Sequence, residues 1–445
     1  MNNKLLVVPA PGAVPPLAPV RGRIVQSKWA RDLLTFLMVF GPGLIVMVAD
    51  NDAGAISTYC QAGAQYGTRL LWVVLLLLPV TYFIQEMVVR LGIATGKGHA
   101  AMIYQRFGKW WGLFSLIDLE LVNFLTLVTE FAAINLALSR LGVDPRIGVP
   151  LVAAGLVLIA VGGSYRRWER TVVFLCLLDL AWFVIAWRIH PPVAQLARDT
   201  LVPGIPAGGL TPGFVFLVIA IVGTTIAPWQ LFFQQSCIAD KRLRFRDLKW
   251  ARLDTLIGAC MTILVAAAMM IAGNASRANG FTFTDPARMA LDIGSVTNAF
   301  FRDAILLLMI NAAVLGTTAI SLSSAWAYGE VRGWPHSLQL SIRQAPGFYA
   351  VYLACVAAAA GLVLIPRAPL QLIILGVQVL AGVMLPSAII FLQLLLNDRE
   401  LLGACANKPW NNLVNWTIII ILFALSLILA AQVAAPRLFP AVLAG

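Results

Sequence analysis

Charge is what this chain has least of. Only 12% of its 445 residues are Asp, Glu, Lys or Arg, about half the quarter carried by ordinary soluble domains, and that shortage excludes a soluble enzyme. Histidine is nearly absent. The three present, His99, His190 and His336, are all expected in loops, which removes the side chain best suited to shuttling protons from the bundle core. The six cysteines, Cys60, Cys176, Cys237, Cys260, Cys355 and Cys405, form no C-x-x-C pair and no zinc-like Cys/His spacing, so they read as small apolar packing residues. No Walker sequence is present, and Gly96-Lys97-Gly98 lacks the strand, turn and helix of a nucleotide loop. Primary pumping therefore has no visible engine, and no cofactor is expected. No short apolar core with a cleavage site opens the chain. Residues 1–32 instead carry Pro9, Pro11, Pro15, Pro16 and Pro19 followed by Arg21, Arg23, Lys28 and Arg31, the composition of a disordered basic cytoplasmic arm.

What fills the chain is apolar surface. Hydrophobic residues make up 60% of it and the mean hydropathy is +0.85, which defines an all-α integral membrane protein with the lipid bilayer as its solvent. Apolar runs bounded by charges or Pro/Gly clusters predict about eleven spans, near 33–58, 70–94, 112–140, 148–164, 171–188, 213–238, 251–273, 299–328, 348–365, 369–396 and 412–434. The net charge of +12 then belongs in short loops and reads as topology, not nucleic-acid binding. Alternate loops differ in Lys and Arg by about two to one, which places the amino terminus in the cytoplasm and the carboxyl terminus outside.

Two predicted spans are interrupted. In the first, an apolar run opened by Gly41-Pro42-Gly43 meets Asp50-Asn51-Asp52-Ala53-Gly54; in the sixth, Gly223-Thr224-Thr225-Ile226-Ala227-Pro228-Trp229-Gln230 carries a mid-span proline that cannot donate an intrahelical hydrogen bond. Breaks five spans apart point to an inverted-repeat transporter, with repeats at 33–188 and 213–396 and an additional helix at 411–434. A midplane carboxylate is costly unless it is paired or binds a cation, and no Lys, Arg or His lies near either break. Asp52 therefore implies a cation held by its carboxylate, free backbone carbonyls, the Gln378 amide and retained waters. The alternative is that Asp52 only caps the second half of the broken helix. Glu130 fits either a water-filled cation path or bundle-interior hydrogen bonding, as do Asp118, Glu120 and Asn123. Gln234 and Gln235 fit either the inward route or interhelical packing. Glu86 and Arg90 form an i,i+4 pair with a structural role.

These residues resemble the Nramp family of divalent metal transporters, from about Gly41 to about Gly403. The stretch Gly41-Pro42-Gly43, Asp52-Ala53-Gly54-Ala55, then Gln61-Ala62-Gly63-Ala64-Gln65-Tyr66-Gly67 is similar to the family's Asp-Pro-Gly-Asn followed by Q-A-G-A-x-x-G, and Arg90-Leu91-Gly92-Ile93-Ala94-Thr95-Gly96 matches a further family stretch. Ala227-Pro228-Trp229 falls where the family has Met-Pro-His, and Gln378 with Leu385-Pro386 where it has a metal-facing glutamine and its own Leu-Pro. The resemblance implies a LeuT-type fold with broken helices 1 and 6. It also implies metal ligation by Asp52, the Ala49 and Thr224 carbonyls and Gln378, with Asp50, Asn51, Gly54, Ala55, Thr225, Ala227 and Trp229 at surrounding or matching positions.

The departures carry their own expectation. Ala55 stands at the family's asparagine and Ala227 at its methionine, and a site without the soft thioether suits a hard ion that keeps its waters. That pattern resembles the Nramp-related magnesium transporters, so Mg2+ uptake, with Mn2+ also carried, is expected. The family's span-six histidines correspond to Trp229 and Gln234, and its span-three acidic pair to Glu130 and Ala133, which implies transport without proton coupling. A proton-coupled Mn2+ or Fe2+ transporter is the alternative. The expected setting is a bacterial inner membrane, as a monomer or homodimer with no nucleic-acid partner.

Overall fold

The computed structural model describes residues 28–161, 164–205, 209, 211–365 and 369–434. Residues 1–27, most of the expected basic arm, lie outside the described residues; its last five residues open a helix. That helix, α1 (Lys28–Val39), belongs almost entirely to a unit ending at Met38, and Val39 onward forms a second unit.

The second unit is helical throughout its described length. Its first half runs α2 (Pro42–Val48), α3 (Ala53–Tyr66), α4 (Leu71–Thr95), α5 (His99–Phe107), α6 (Lys109–Arg140), α7 (Pro145–Ala160), α8 (Tyr165–Leu178), α9 (Ala181–Arg188) and α10 (Val193–Leu201). Its second half runs α11 (Pro212–Thr225), α12 (Pro228–Lys241), α13 (Leu248–Ala278), α14 (Pro286–Val296), α15 (Ala299–Arg332), α16 (Pro346–Val363), α17 (Leu370–Leu396), α18 (Arg399–Leu402) and α19 (Pro409–Ala434). Prolines open many of these helices because the first helical N–H has no intrahelical acceptor to lose.

Among the described residues, nine helices are long and apolar enough to cross a membrane, or up to ten if Trp29–Val39 and Pro42–Val48 count as one. The eleven expected spans are not all of that length. The first is divided between α2 and α3, and the fourth falls on the shorter α7: Asp144 caps α7 through the Arg146 N–H at 2.9 Å, Pro145 fixes its start, and the helix stops at Ala160.

Close backbone contact holds the broken segments in place. A Cβ on Gly63 of α3 would lie 2.0 Å from the Met270 carbonyl of α13, and one on Gly273 of α13 would lie 2.0 Å from the Cys60 carbonyl of α3. Only paired glycines permit this approach, the small-residue packing that membrane helices use in place of a hydrophobic driving force. Gly223 of α11 is pressed in the same way against the Gln378 carbonyl of α17. At the basic end of the bundle, Asp254 of α13 accepts the Gly43 N–H at 2.7 Å and the Leu44 N–H at 3.2 Å, capping α2 from outside its own chain segment.

Candidate functional site

The first break is built by two carboxylates at one helix start. α2 ends at Val48, whose carbonyl accepts the Asn51 N–H at 3.0 Å, and the Ala49 carbonyl is among the helix-end acceptors without an intrahelical donor. The chain is extended at Asp52 before α3 begins. The Asp52 carboxylate accepts the Ala55 N–H at 2.9 Å, so the capping role exists. Glu130 of α6 reaches the same helix start, accepting the Ala53 N–H at 3.1 Å through Oε2. A Cβ on Gly316 of α15 would lie 2.9 Å from the Glu130 carboxyl carbon and 3.0 Å from the Asp52 Cβ, so the two acids meet against α15. The partial positive charge of the helix start favours them both.

The second break lies alongside. α11 stops at Thr225, Ile226 and Ala227 are extended, and α12 starts at Pro228, which frees the last carbonyls of α11, Thr224's included. The Thr225 and Tyr59 hydroxyls are 2.6 Å apart, joining α11 to α3. From the opposite wall, Gln378 lies over Gly54: a Cβ there would sit 1.7 Å from the Gln378 amide nitrogen. The spacing of the sequence thus brings Ala49, Asp52, Gly54, Ala55, Thr224, Thr225, Ala227 and Gln378 to one region, each of them buried. Trp229 is buried beside it, its carbonyl accepting the Ser323 hydroxyl at 3.2 Å.

This region concentrates polar atoms without partners. Both carboxylate oxygens of Asp50, both amide atoms of Asn51, Glu130 Oε1, the Thr224 and Thr317 hydroxyls and the Gln378 Nε2 are buried with no hydrogen-bond partner among the described residues. Gln230 stands beside Asp50 without closing a bond to it, and takes a bond from Gln85 at 2.9 Å instead. None of the ion pairs among the described residues involves Asp50, Asp52 or Glu130. Buried polar groups in folded proteins are otherwise almost always satisfied, so a cluster of oxygens around uncompensated acids is the arrangement a cation completes.

Other expected residues fall elsewhere. Gln234 donates to the Thr255 hydroxyl at 3.0 Å, an interhelical bond, and Asn123 and Asp118 bond Ser324 and Ser387. The Glu86–Arg90 pair forms, at 3.1 Å, and Arg252 joins it at 2.6 Å. The loop expectation for His99 is corrected: it opens α5 fully buried, with Nδ1 3.0 Å from Gln235 Oε1 and its ring edge-on to Phe232. Loss of water around the ring pushes its pKa down to about 4, so the imidazole is neutral near pH 7. Gln85, Gln230, Tyr59 and Thr317 were not singled out by sequence. A polar residue in an apolar run was the available signal.

The described residues form an all-α, multi-span membrane fold of the LeuT type, and solved structures share it. A crystal structure of the Eremococcus coleocola manganese transporter matches with a TM-score of 0.76 over 94% of this chain and 90% of that one, at 20% identity. A structure of MhsT in complex with L-phenylalanine matches at 0.63, with 14% identity over 90% and 98%; these likenesses concern the fold. The sequence itself matches the Nramp family, described as natural resistance-associated macrophage protein-like, over residues 43–432, and the chain belongs to that family. It is 26% identical over 426 residues to the divalent metal cation transporter MntH of Staphylococcus aureus (strain bovine RF122 / ET3-1), covering 89% of this chain and 91% of that protein. Membership makes this a multi-pass membrane transporter and not an enzyme. These relatives do not single out the magnesium branch expected from Ala55 and Ala227.

Proposed function

We propose that the protein moves divalent metal cations across the membrane by alternating access, with Mn2+ among its cargo. The observation that carries this reading is the meeting of Asp52 and Glu130 at one buried helix start, surrounded by oxygens that have no partner, and by no paired basic side chain, among the described residues. The relatives named for manganese and divalent metals support the choice of ion. Asp52 supplies the anionic ligand, the Ala49 and Thr224 carbonyls supply neutral oxygens, and a half-turn of the Gln378 amide presents its oxygen. Asp50, Asn51 and Thr225 surround this set, and Glu130 draws cations to it. The two breaks would belong to inverted five-helix repeats, with α19 outside them, in a bacterial inner membrane with the amino terminus cytoplasmic.

A second reading rests on Ala55 and Ala227, which put methyl groups where an amide and a thioether would ligate. It assigns the site to Mg2+ as a largely hydrated ion, moved without protons down its gradient and by the membrane potential, worth about 2.3 kcal/mol per charge per 100 mV. Uptake into proteoliposomes with separate Mn2+, Mg2+ and internal-pH dyes separates the two. Mn2+ entry with acidification supports the first reading in its proton-coupled form; Mg2+ entry without acidification supports the second. Entry of neither ion would end both.

A further inference from the structure

Away from the breaks, at the basic end of the bundle, a cavity of about 380 Å³ lies where α4, α13 and the start of α19 meet. Three cations line it, Arg90, Arg252 and Lys408, against one acid, Glu86. That acid is already saturated: Arg252 donates to Glu86 Oε1 at 2.6 and 3.0 Å, and Arg90 donates to Oε2 at 3.2 Å and to the Cys405 carbonyl at 3.1 Å. Three cations against one anion leave two positive charges. Arg252 still has unshared guanidinium N–H groups on a partly exposed side chain, and the exposed Lys408 ammonium has no partner among the described residues.

The rim of this cavity is aromatic and leads onto lipid-facing surface. Trp410 is half-exposed and packs edge-on against Phe83, with ring centroids 6.1 Å apart. Trp410, Leu413, Ile420 and Leu427 follow one another at helical spacing along one exposed face of α19. Tryptophan beside a basic pocket at a helix end is the pattern of the membrane–water interface, and an apolar stripe running from the pocket down the helix offers acyl chains a course that a free phosphate would not use. The geometry points to a site for the phosphate headgroup of an anionic lipid, held by Lys408 and Arg252 over a Phe83–Trp410 platform, with its chains along α19. Glu86 orients Arg252 and Arg90 forms the back wall. The assignment depends on the chain being membrane-embedded and not on which ion it moves.

The test is native mass spectrometry of the full-length protein in non-ionic detergent, titrated with phosphatidylglycerol, phosphatidylcholine or inorganic phosphate. Phosphatidylglycerol is expected to be retained and phosphatidylcholine is not. A basic residue near an anionic headgroup is worth about fivefold in affinity, so Lys408→Gln should weaken retention about fivefold and Lys408→Glu about 25-fold. Arg343→Gln, an exposed arginine outside the cavity, should change nothing. Lys408 has no side-chain partner to lose, so folding is preserved, and an unchanged unfolding midpoint without lipid verifies it. The assignment is overturned if Lys408→Glu retains phosphatidylglycerol like the unsubstituted protein, if phosphatidylcholine binds equally, or if inorganic phosphate at equal concentration displaces the lipid.

Discussion

The basic end of the bundle and the helix breaks both hold carboxylates, and they treat them differently. At the basic end, each acid is answered: Asp254 takes two backbone N–H groups, Glu330 takes the Ala101 N–H at 3.2 Å and the Ser236 hydroxyl at 2.6 Å, and Glu169 takes the Lys241 ammonium at 2.6 Å. At the breaks, Asp50 has no partner, Glu130 keeps one oxygen free, and Asp52 has a backbone cap but no cation. A buried acid with its partners supplied fixes helices to one another; one without them carries the cost of its burial uncompensated, and the proposed ion site rests on that difference. Burial alone does not separate the two, since Asp254 is as buried as Asp50 and Asp52.

The strongest way to break this comparison is Asp52→Asn. Asparagine caps helices as well as aspartate does, so α3 keeps its bond to Ala55 while the charge is removed. Uptake should fall by more than the ~100-fold that supporting partners of a metal ligand are worth, with the unfolding midpoint unchanged. Transport at the normal rate in this variant would mean that the cap is all Asp52 provides. Next in size is Asp254→Ala, which leaves the Gly43 and Leu44 N–H groups without acceptors and should cost roughly 3 kcal/mol of stability. The ratio of Mn2+ to Mg2+ uptake should not move. A shifted ratio would transfer Asp254 from the structural region to the ion site.

What was legible in the sequence was whatever is written locally. Proline and glycine inside apolar runs marked the interruptions at residues 49–52 and 226–227, and the four-residue spacing of Glu86 and Arg90 announced their pair. What was hidden depends on chain segments far apart. Glu130 meets Ala53 across 77 residues, Arg252 joins Glu86 across 166, and His99 packs against Phe232 and Gln235, which α12 brings to it. Hydropathy also registered the apolar run of α7 but not the Asp144 cap and Pro145 that set its start. The ion itself is the least legible, because Ala55 and Ala227 offer no side-chain ligand that would name it.

That last point is open to a smaller perturbation. Ala227→Met restores a thioether at the second break and should shift preference toward Mn2+ over Mg2+ by about tenfold, ~1.4 kcal/mol, read as the ratio of initial uptake rates. The added volume in a buried position costs up to about 3 kcal/mol of stability, so the ratio is the informative readout and the absolute rate is not. An unchanged ratio would show that selection resides in Asp52 and the carbonyls.

The smallest expected effect sharpens the boundary between the regions. Gln234 sits on α12 two turns below the break, and its amide bonds the Thr255 hydroxyl, which in turn donates to the Ala251 carbonyl at 3.0 Å. The donor side of the amide is thereby satisfied, while its Oε1 is buried without a hydrogen-bond partner among the described residues. Gln234→Ala should therefore cost about 1 kcal/mol of stability, the net worth of one such bond, and change uptake by less than about twofold. Initial rates at saturating Mn2+ measure it directly. A fivefold loss of uptake with stability intact would put Gln234 on the ion's path, because a side chain that only joins two helices affects rate through their packing and would lower the unfolding midpoint with it.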